Sequence, residues 1–174
     1  METNALSALA LILDGLSIPW VLIGAVAANR YRASPRLTHD VDILIDTITP
    51  TTLAELELAL RNAGWAVRRA DPEGALMRLR HTSLGVADLL VAGTDYQANS
   101  IARARRESLA GGVVIRILLV EDVIVHKLIA GRAQDLADIE AILATAEPLA
   151  RAYVERWAAF WDVTDRWLAL TATK

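Results

Sequence analysis

Asp40 and Asp42 carry the most explicit chemistry in the chain, in the stretch Arg36-Leu37-Thr38-His39-Asp40-Val41-Asp42-Ile43-Leu44-Ile45. The segment from Asp40 to Asp46 is β-rich, and residues two apart in a strand share a face. The two carboxylates therefore project together, at the start of a strand that continues into apolar residues. Adjacent carboxylates repel, and burying them unpaired is costly. A cation between them removes the cost. Asp88 is the only acidic residue of the apolar run Gly85–Val91 and is the candidate third ligand. Oxygen ligands of this kind suit Mg²⁺ or Mn²⁺. Two such ions, about 3.5–4 Å apart, activate a nucleophile and stabilise a leaving oxygen. A triphosphate would also need backbone donors. Gly24 stands between the apolar run Pro19–Ile23 and an alanine-rich segment, where a helix N-terminus offers them, and small Ala25 leaves room. Each feature alone has a plainer reading: acids facing water, Asp88 paired with an arginine, a glycine serving a turn. Their order along the chain is what points to a site.

The elements that must position these residues follow from periodicity. Residues 4–14 have leucines at helical spacing and end at Gly15. Pro19–Ile23 reads as a buried strand, Ala25–Tyr31 as a helix and Asp40–Asp46 as the second strand. Thr49-Pro50 opens a helix that stops at Gly64. Trp65–Arg69, Ala75–Arg80 and Gly85–Val91 suggest an antiparallel meander, turned at Asp71–Gly74 and at Thr82-Ser83. Gln97–Leu109 reads as a helix broken by Gly111-Gly112, followed by a strand at Val113–Leu118. Glu121–Ala130 and Gln134–Ala144 read as helices, and Pro148 opens a last one to about Leu170. The expected class is α/β (α+β), a mixed sheet flanked by helices with C-terminal helices. Residues 1–120 would form the core and 121–174 a helical region packed on it as one unit.

Composition narrows the chemistry. The 174 residues are 54% hydrophobic and 22% charged, which suits one folded domain with a real core. With no cysteine, disulfides and thiolate metal sites are excluded. His39, His81 and His126 form no ligand pair, so zinc is disfavoured. A net charge of −3 gives no support for a broad nucleic-acid or membrane footprint, although Arg103, Arg105 and Arg106 could make a local basic face. The acidic start Met-Glu-Thr-Asn does not read as a secretory leader, and no uncharged run is long enough to span a bilayer, so a cytoplasmic location is expected.

The series Ile23-Gly24-Ala25-Val26-Ala27-Ala28, then Arg36-Leu37-Thr38-His39-Asp40-Val41-Asp42, then Asp88, resembles the nucleotidyltransferase superfamily related to DNA polymerase beta. The stretch Glu121–Ile139, with Lys127, Arg132, Asp135 and Asp138, is similar to that of AbiEii-type toxins and related uncharacterised bacterial nucleotidyltransferases. The resemblance covers about residues 18–145. It implies the nucleotidyltransferase fold and Mg²⁺- or Mn²⁺-dependent transfer of a nucleoside monophosphate from an NTP to a hydroxyl on RNA (a tRNA end), a protein or a small molecule. A toxin role with an antitoxin partner would follow from the toxin relatives. Asp40 and Asp42 would bind both metals, and Asp88 would bind the catalytic one and help activate the acceptor. Gly24 and Ala25 would line the triphosphate, Lys127 would neutralise it, and Asp135 would orient Lys127.

The chain departs from the pattern at Ala25, where relatives carry Gly or Ser, and at Gln134, where they often carry Lys. Both changes remove phosphate contacts. They motivate an alternative: a catalytically weak or inactive module that kept the fold and binds nucleotide or protein. Arg36 and Thr38 precede the acids and either touch the nucleotide or shape the loop. Lys127 on an apolar helix could simply reach to solvent. Asp135 and Asp138 could simply complement a helix N-terminus. The C-terminal tryptophans read as packing or as an oligomer surface.

Overall fold

The computed structural model describes residues 2–70, 75–109, 112–145 and 148–172. The Asp71–Gly74 turn and Gly111 lie outside these residues. Helix α1 (Glu2–Gly15) precedes β1 (Trp20–Leu22), α2 (Gly24–Ala28) and a single 3-10 turn, Asn29–Tyr31. A loop then leads into β2 (Asp40–Ile45). Helix α3 (Pro50–Asn62) is followed by β3 (Ala66–Arg69), β4 (Leu76–His81) and β5 (Gly85–Val91). After α4 (Asp95–Ala102) come β6 (Arg105–Ser108) and β7 (Val114–Ile117). Helices α5 (Val120–Ala130), α6 (Ala133–Leu143), α7 (Arg151–Phe160) and α8 (Thr164–Thr171) complete the chain.

The seven strands form one mixed sheet in the order β3-β4-β5-β2-β1-β7-β6. The expected meander is present as β3-β4-β5, antiparallel throughout. Strand β2 runs parallel to β5 and antiparallel to β1, and β1 runs parallel to β7. The centre of the sheet is apolar because its strands are: Trp20, Val21, Leu22, Ile43, Leu44, Ile45 and Leu89 are fully buried. Leu9 and Leu13 of α1 close over them. At the start of α3, the Thr49 hydroxyl accepts from the Thr52 N–H at 3.1 Å and Pro50 takes the first turn.

Two expectations need correction. The helix over 97–109 stops at Ala102, and Arg105–Ser108 is instead a strand paired antiparallel with Val114–Ile117. Its residues are acceptable to a helix locally, but the return of the chain near Gly112 brings them against β7, and sheet pairing overrides that weak preference. The single C-terminal helix is two helices, α7 and α8. They part at Asp162, which adopts a left-handed φ of 54° that Asp tolerates better than most residues.

Candidate active site

The site begins in the sheet register. Asp42 on β2 lies opposite Asp88 on β5, and Asp88 lies opposite Arg78 on β4. A row Arg78–Asp88–Asp42 therefore crosses three strands on one face. The next position along this row is the turn from β1 into α2, where the Ile23 N–H donates to the Asp42 carbonyl at 2.9 Å. Gly24 occupies that turn at φ 66°. A Cβ there would fall 1.9 Å from Oδ2 of Asp42. Glycine is thus required twice over, by the backbone conformation and by the carboxylate that fills its missing side chain.

Burial pushes the Asp42 carboxyl above the usual carboxylate range, and the charges of Asp88 and Asp40 push it further. Asp88 is raised by burial and by Asp40, against the lowering effect of Arg78, whose Nε stands 3.9 Å from Oδ2. Asp40, at the start of β2, is exposed and does not line the neighbouring cavity. Three carboxylates held in mutual repulsion fit a hard divalent cation by donor chemistry. Their arrangement is looser than a closed metal shell: among the described residues, no three His, Asp or Glu side chains are gathered closely enough to hold an ion.

Facing this row is a second, cationic cluster built by α5, α6 and the loop before β2. Lys127 is 5% exposed, which rules out a lysine simply reaching to solvent. Its ammonium donates to Oδ1 of Asp135 at 3.1 Å and to Oδ2 of Asp138 at 2.6 Å. Fully buried Asp138 also accepts from Arg32 Nη1 at 2.5 Å and from Arg36 Nε and Nη2 at 3.0 and 3.2 Å. Asp135 accepts from Arg132 Nε at 2.6 Å and Nη2 at 3.3 Å. The two aspartates therefore bind side-chain cations, and Asp135, in the first turn of α6, also complements that helix end. Burial opposes their ionisation, but the donors from arginine and lysine outweigh it and hold both carboxyls below the usual range. Four cations share two carboxylates, so the cluster carries a surplus of positive charge.

Between the two clusters lies a cavity of about 310 Å³. Gly24, Asp42, Lys127, Arg132 and Asp135 line its polar end, while Leu90, Tyr96, Leu118, Val123, Ile129 and Trp161 line much of the rest. Mainly apolar concavities of this size with a charged end suit a small organic ligand that carries a charged group. His126 also lines it, and burial pushes its imidazole down to about 4, so it is neutral at pH 7.

The structure brings together Gly24, Asp42, Lys127 and Asp135 around one cavity, with Asp88 opposite Asp42 in the sheet. Ala25 is buried behind Gly24 and Thr38 is half-buried in the loop; neither lines the cavity. Arg36 is a brace on Asp138. Gln134 is exposed and away from the cavity wall, so the expected loss of a phosphate contact there carries little weight. Arg103, Arg105 and Arg106 do not form one basic face. Arg103 lies 3.9 Å over the Tyr153 ring and 3.6 Å from Asp122, Arg105 pairs with Glu107, and Arg106 follows on the opposite side of β6. Sequence reasoning gave no site role to Arg132, Arg32, Tyr96 or Trp161. Arg132 stood within the Lys127–Asp138 stretch, and that was its only signal.

No family model matches the sequence, and no curated protein matches it. Solved structures do match the fold. One is the antibiotic-resistance factor ANT(2'')-Ia, at TM-score 0.61 and 20% identity, covering 99% of this chain and 98% of that one. Another is an antigenic nucleotidyltransferase-like protein from Paracoccidioides brasiliensis, at TM-score 0.57 and 19% identity, covering 95% and 89%. A third is the lincosamide antibiotic adenylyltransferase LnuA, at TM-score 0.54 and 14% identity, covering 77% and 91%.

The chain has the nucleotidyltransferase fold. In that fold Gly24, Asp42, Lys127, Arg132 and Asp135 line one cleft, and the register sets Asp88 beside Asp42. Among the described residues, no helix is long and apolar enough to cross a membrane.

Proposed function

We propose that the chain is a metal-dependent nucleotidyltransferase that moves a nucleoside monophosphate from an NTP to a hydroxyl of a small-molecule acceptor in the cytoplasm. The observation that carries this reading is the fit of Asp42 into the missing side chain of Gly24, on the cavity that Lys127 and Arg132 also line. Asp40, Asp42 and Asp88 would hold Mg²⁺ or Mn²⁺, which when bound supplies charge neutralisation at the reacting phosphate. The acceptor oxygen bonds to the α-phosphorus, the bond from that phosphorus to the bridging oxygen breaks, and pyrophosphate leaves. Asp88 takes up the hydroxyl proton. Its register opposite Asp42 supports that role. The Gly24 turn offers backbone donors to the triphosphate, the Lys127 cluster offers positive charge, and the apolar end takes the nucleoside. The small-molecule acceptor is supported by the likeness in shape to proteins whose structures hold adenylyl-2''-tobramycin and lincomycin.

Two observations favour a second reading, a nucleotide-binding module without turnover: Arg78 stands beside Asp88, and among the described residues no three acids are gathered closely enough to hold an ion. Incubation with each α-labelled NTP, Mn²⁺ and a panel of hydroxylated acceptors and cell extract separates the two. Pyrophosphate release with label on an acceptor, abolished in Asp42→Asn, supports catalysis. NTP binding without release supports the module.

A further inference from the structure

Among the four cations of the cluster, three converge on one buried carboxylate and the fourth is open to solvent. Side-chain exposure is 6% for Lys127, 14% for Arg32 and 28% for Arg36, and all three converge on buried Asp138. Arg132 is 78% exposed and reaches Asp135, three residues along the same helix end. Asp135 does not depend on it, because Lys127 also donates to that carboxylate. Arg132 lines the cavity beside Gly24 and Asp42, and the Asp42 charge acts on its guanidinium. Its backbone, by contrast, is anchored. Gly131 before it adopts φ 63°, and a Cβ there would meet Arg166 at 2.4 Å, where Arg166 binds the last carbonyls of α5 at Leu128 and Ile129. The geometry is that of an arm on a fixed pivot, at rest on a local carboxylate.

We infer that Arg132 grips the β- and γ-phosphates of the incoming NTP, the part that leaves as pyrophosphate, and that Asp135 parks it when no nucleotide is bound. This rests on the nucleotidyltransferase reading above. The pair joins an exposed guanidinium to a buried carboxylate that keeps its Lys127 donor when Arg132 leaves. A guanidinium fork on phosphate oxygens makes two charge-assisted hydrogen bonds, so the exchange of Asp135 for phosphate is favourable. The surplus charge of the cluster is then used where the ligand carries its negative charge, and the buried cations supply the field without moving.

Calorimetric titration of the full chain with ATP and with AMP, at fixed Mg²⁺, tests it. In Arg132→Ala, ATP affinity should fall on the order of tenfold or more, with AMP affinity unchanged and Arg132→Lys intermediate. Thermal unfolding of the unliganded variants should show at most a modest loss, since Asp135 loses the Arg132 donors and keeps Lys127. Should Arg132→Ala fold poorly, Arg132→Gln, which keeps the stem, is read in its place. Unchanged ATP affinity, or equal losses for ATP and AMP, overturns the inference and leaves the nucleotidyltransferase reading standing. A wild-type chain that binds no ATP overturns that reading, and the inference with it.

Discussion

Asp42 is a residue held in a state that its fold disfavours. Its carboxyl is raised by burial and by two like charges. A group whose folded pKa is raised contributes stability that is complete below its unfolded pKa and lost as pH rises through the folded value. At neutral pH the ionised form is therefore a cost. Asp42→Asn should unfold at a higher temperature than wild type at pH 7 in a chelator, and the gap should close as the pH falls toward the carboxylate range. The same variant should lose more than about a hundredfold of turnover in a pyrophosphate-release assay, since even residues behind metal ligands cost 10–100-fold. A variant both more stable and inactive is the signature of a charge kept for chemistry. The Asp40–Asp42 pair was legible in the sequence because a strand's period of two needs no tertiary information. Asp138 was not. Its partners Arg32 and Arg36 lie 106 and 102 residues away in the chain, and nothing local in α6 distinguishes it from a solvated acid.

At the scale of elements, α6 is tied to the loop before β2 by that one carboxylate. Asp138→Asn removes the charge and leaves Lys127, Arg32 and Arg36 crowded without their shared partner. Breaking a buried ion cluster in this way costs about 3–5 kcal/mol, to be read from urea unfolding at pH 7. The pH dependence has the opposite sign to that of Asp42. Asp135 and Asp138 are held low, so their contribution is present above the unfolded carboxylate value and disappears as pH falls through the lowered one. Wild type should lose stability below about pH 4, near the ordinary aspartate value, and Asp138→Asn should show a flatter acid limb. The turn between β1 and α2 makes a sharper demand. Gly24→Ala must adopt a positive φ at a cost of roughly 1–2 kcal/mol and must also displace Asp42, so unfolding should reveal a larger loss than the backbone cost alone. Strands β2 and β5 were readable from β-branched, apolar runs. Strand β6 was not, because Arg-Arg-Glu-Ser acquires strand character only from β7 beside it.

For the whole molecule, the core and the cleft respond to separate perturbations. Leu9 is fully buried in α1 against the sheet, on elements remote from the cavity lining. Leu9→Ala should cost about 2–5 kcal/mol in chemical denaturation and leave ATP affinity unchanged. Ligand binding should do the converse. ATP with Mg²⁺ at a hundred times its Kd should stabilise the chain by about 2.7 kcal/mol, seen as a raised melting temperature that Asp42→Asn and Arg132→Ala both diminish. The plan of a mixed sheet with helices around it was legible from the order of elements. The division of the last helix at Asp162 was not, since no Gly or Pro marks it.

The interlock of Gly24 with Asp42 also constrains how this chain can change over generations. A side chain at position 24 is excluded by the carboxylate at 42, and loss of that carboxylate lifts only part of the exclusion, because the Asp42 Cβ would still stand 2.9 Å away and the positive φ of 66° remains. Position 42 can therefore change while Gly24 stays, whereas position 24 cannot change without moving the acid. A glycine at 24 is thus no proof that the acid is still in use, whereas any other residue there marks a descendant in which the acid has been displaced.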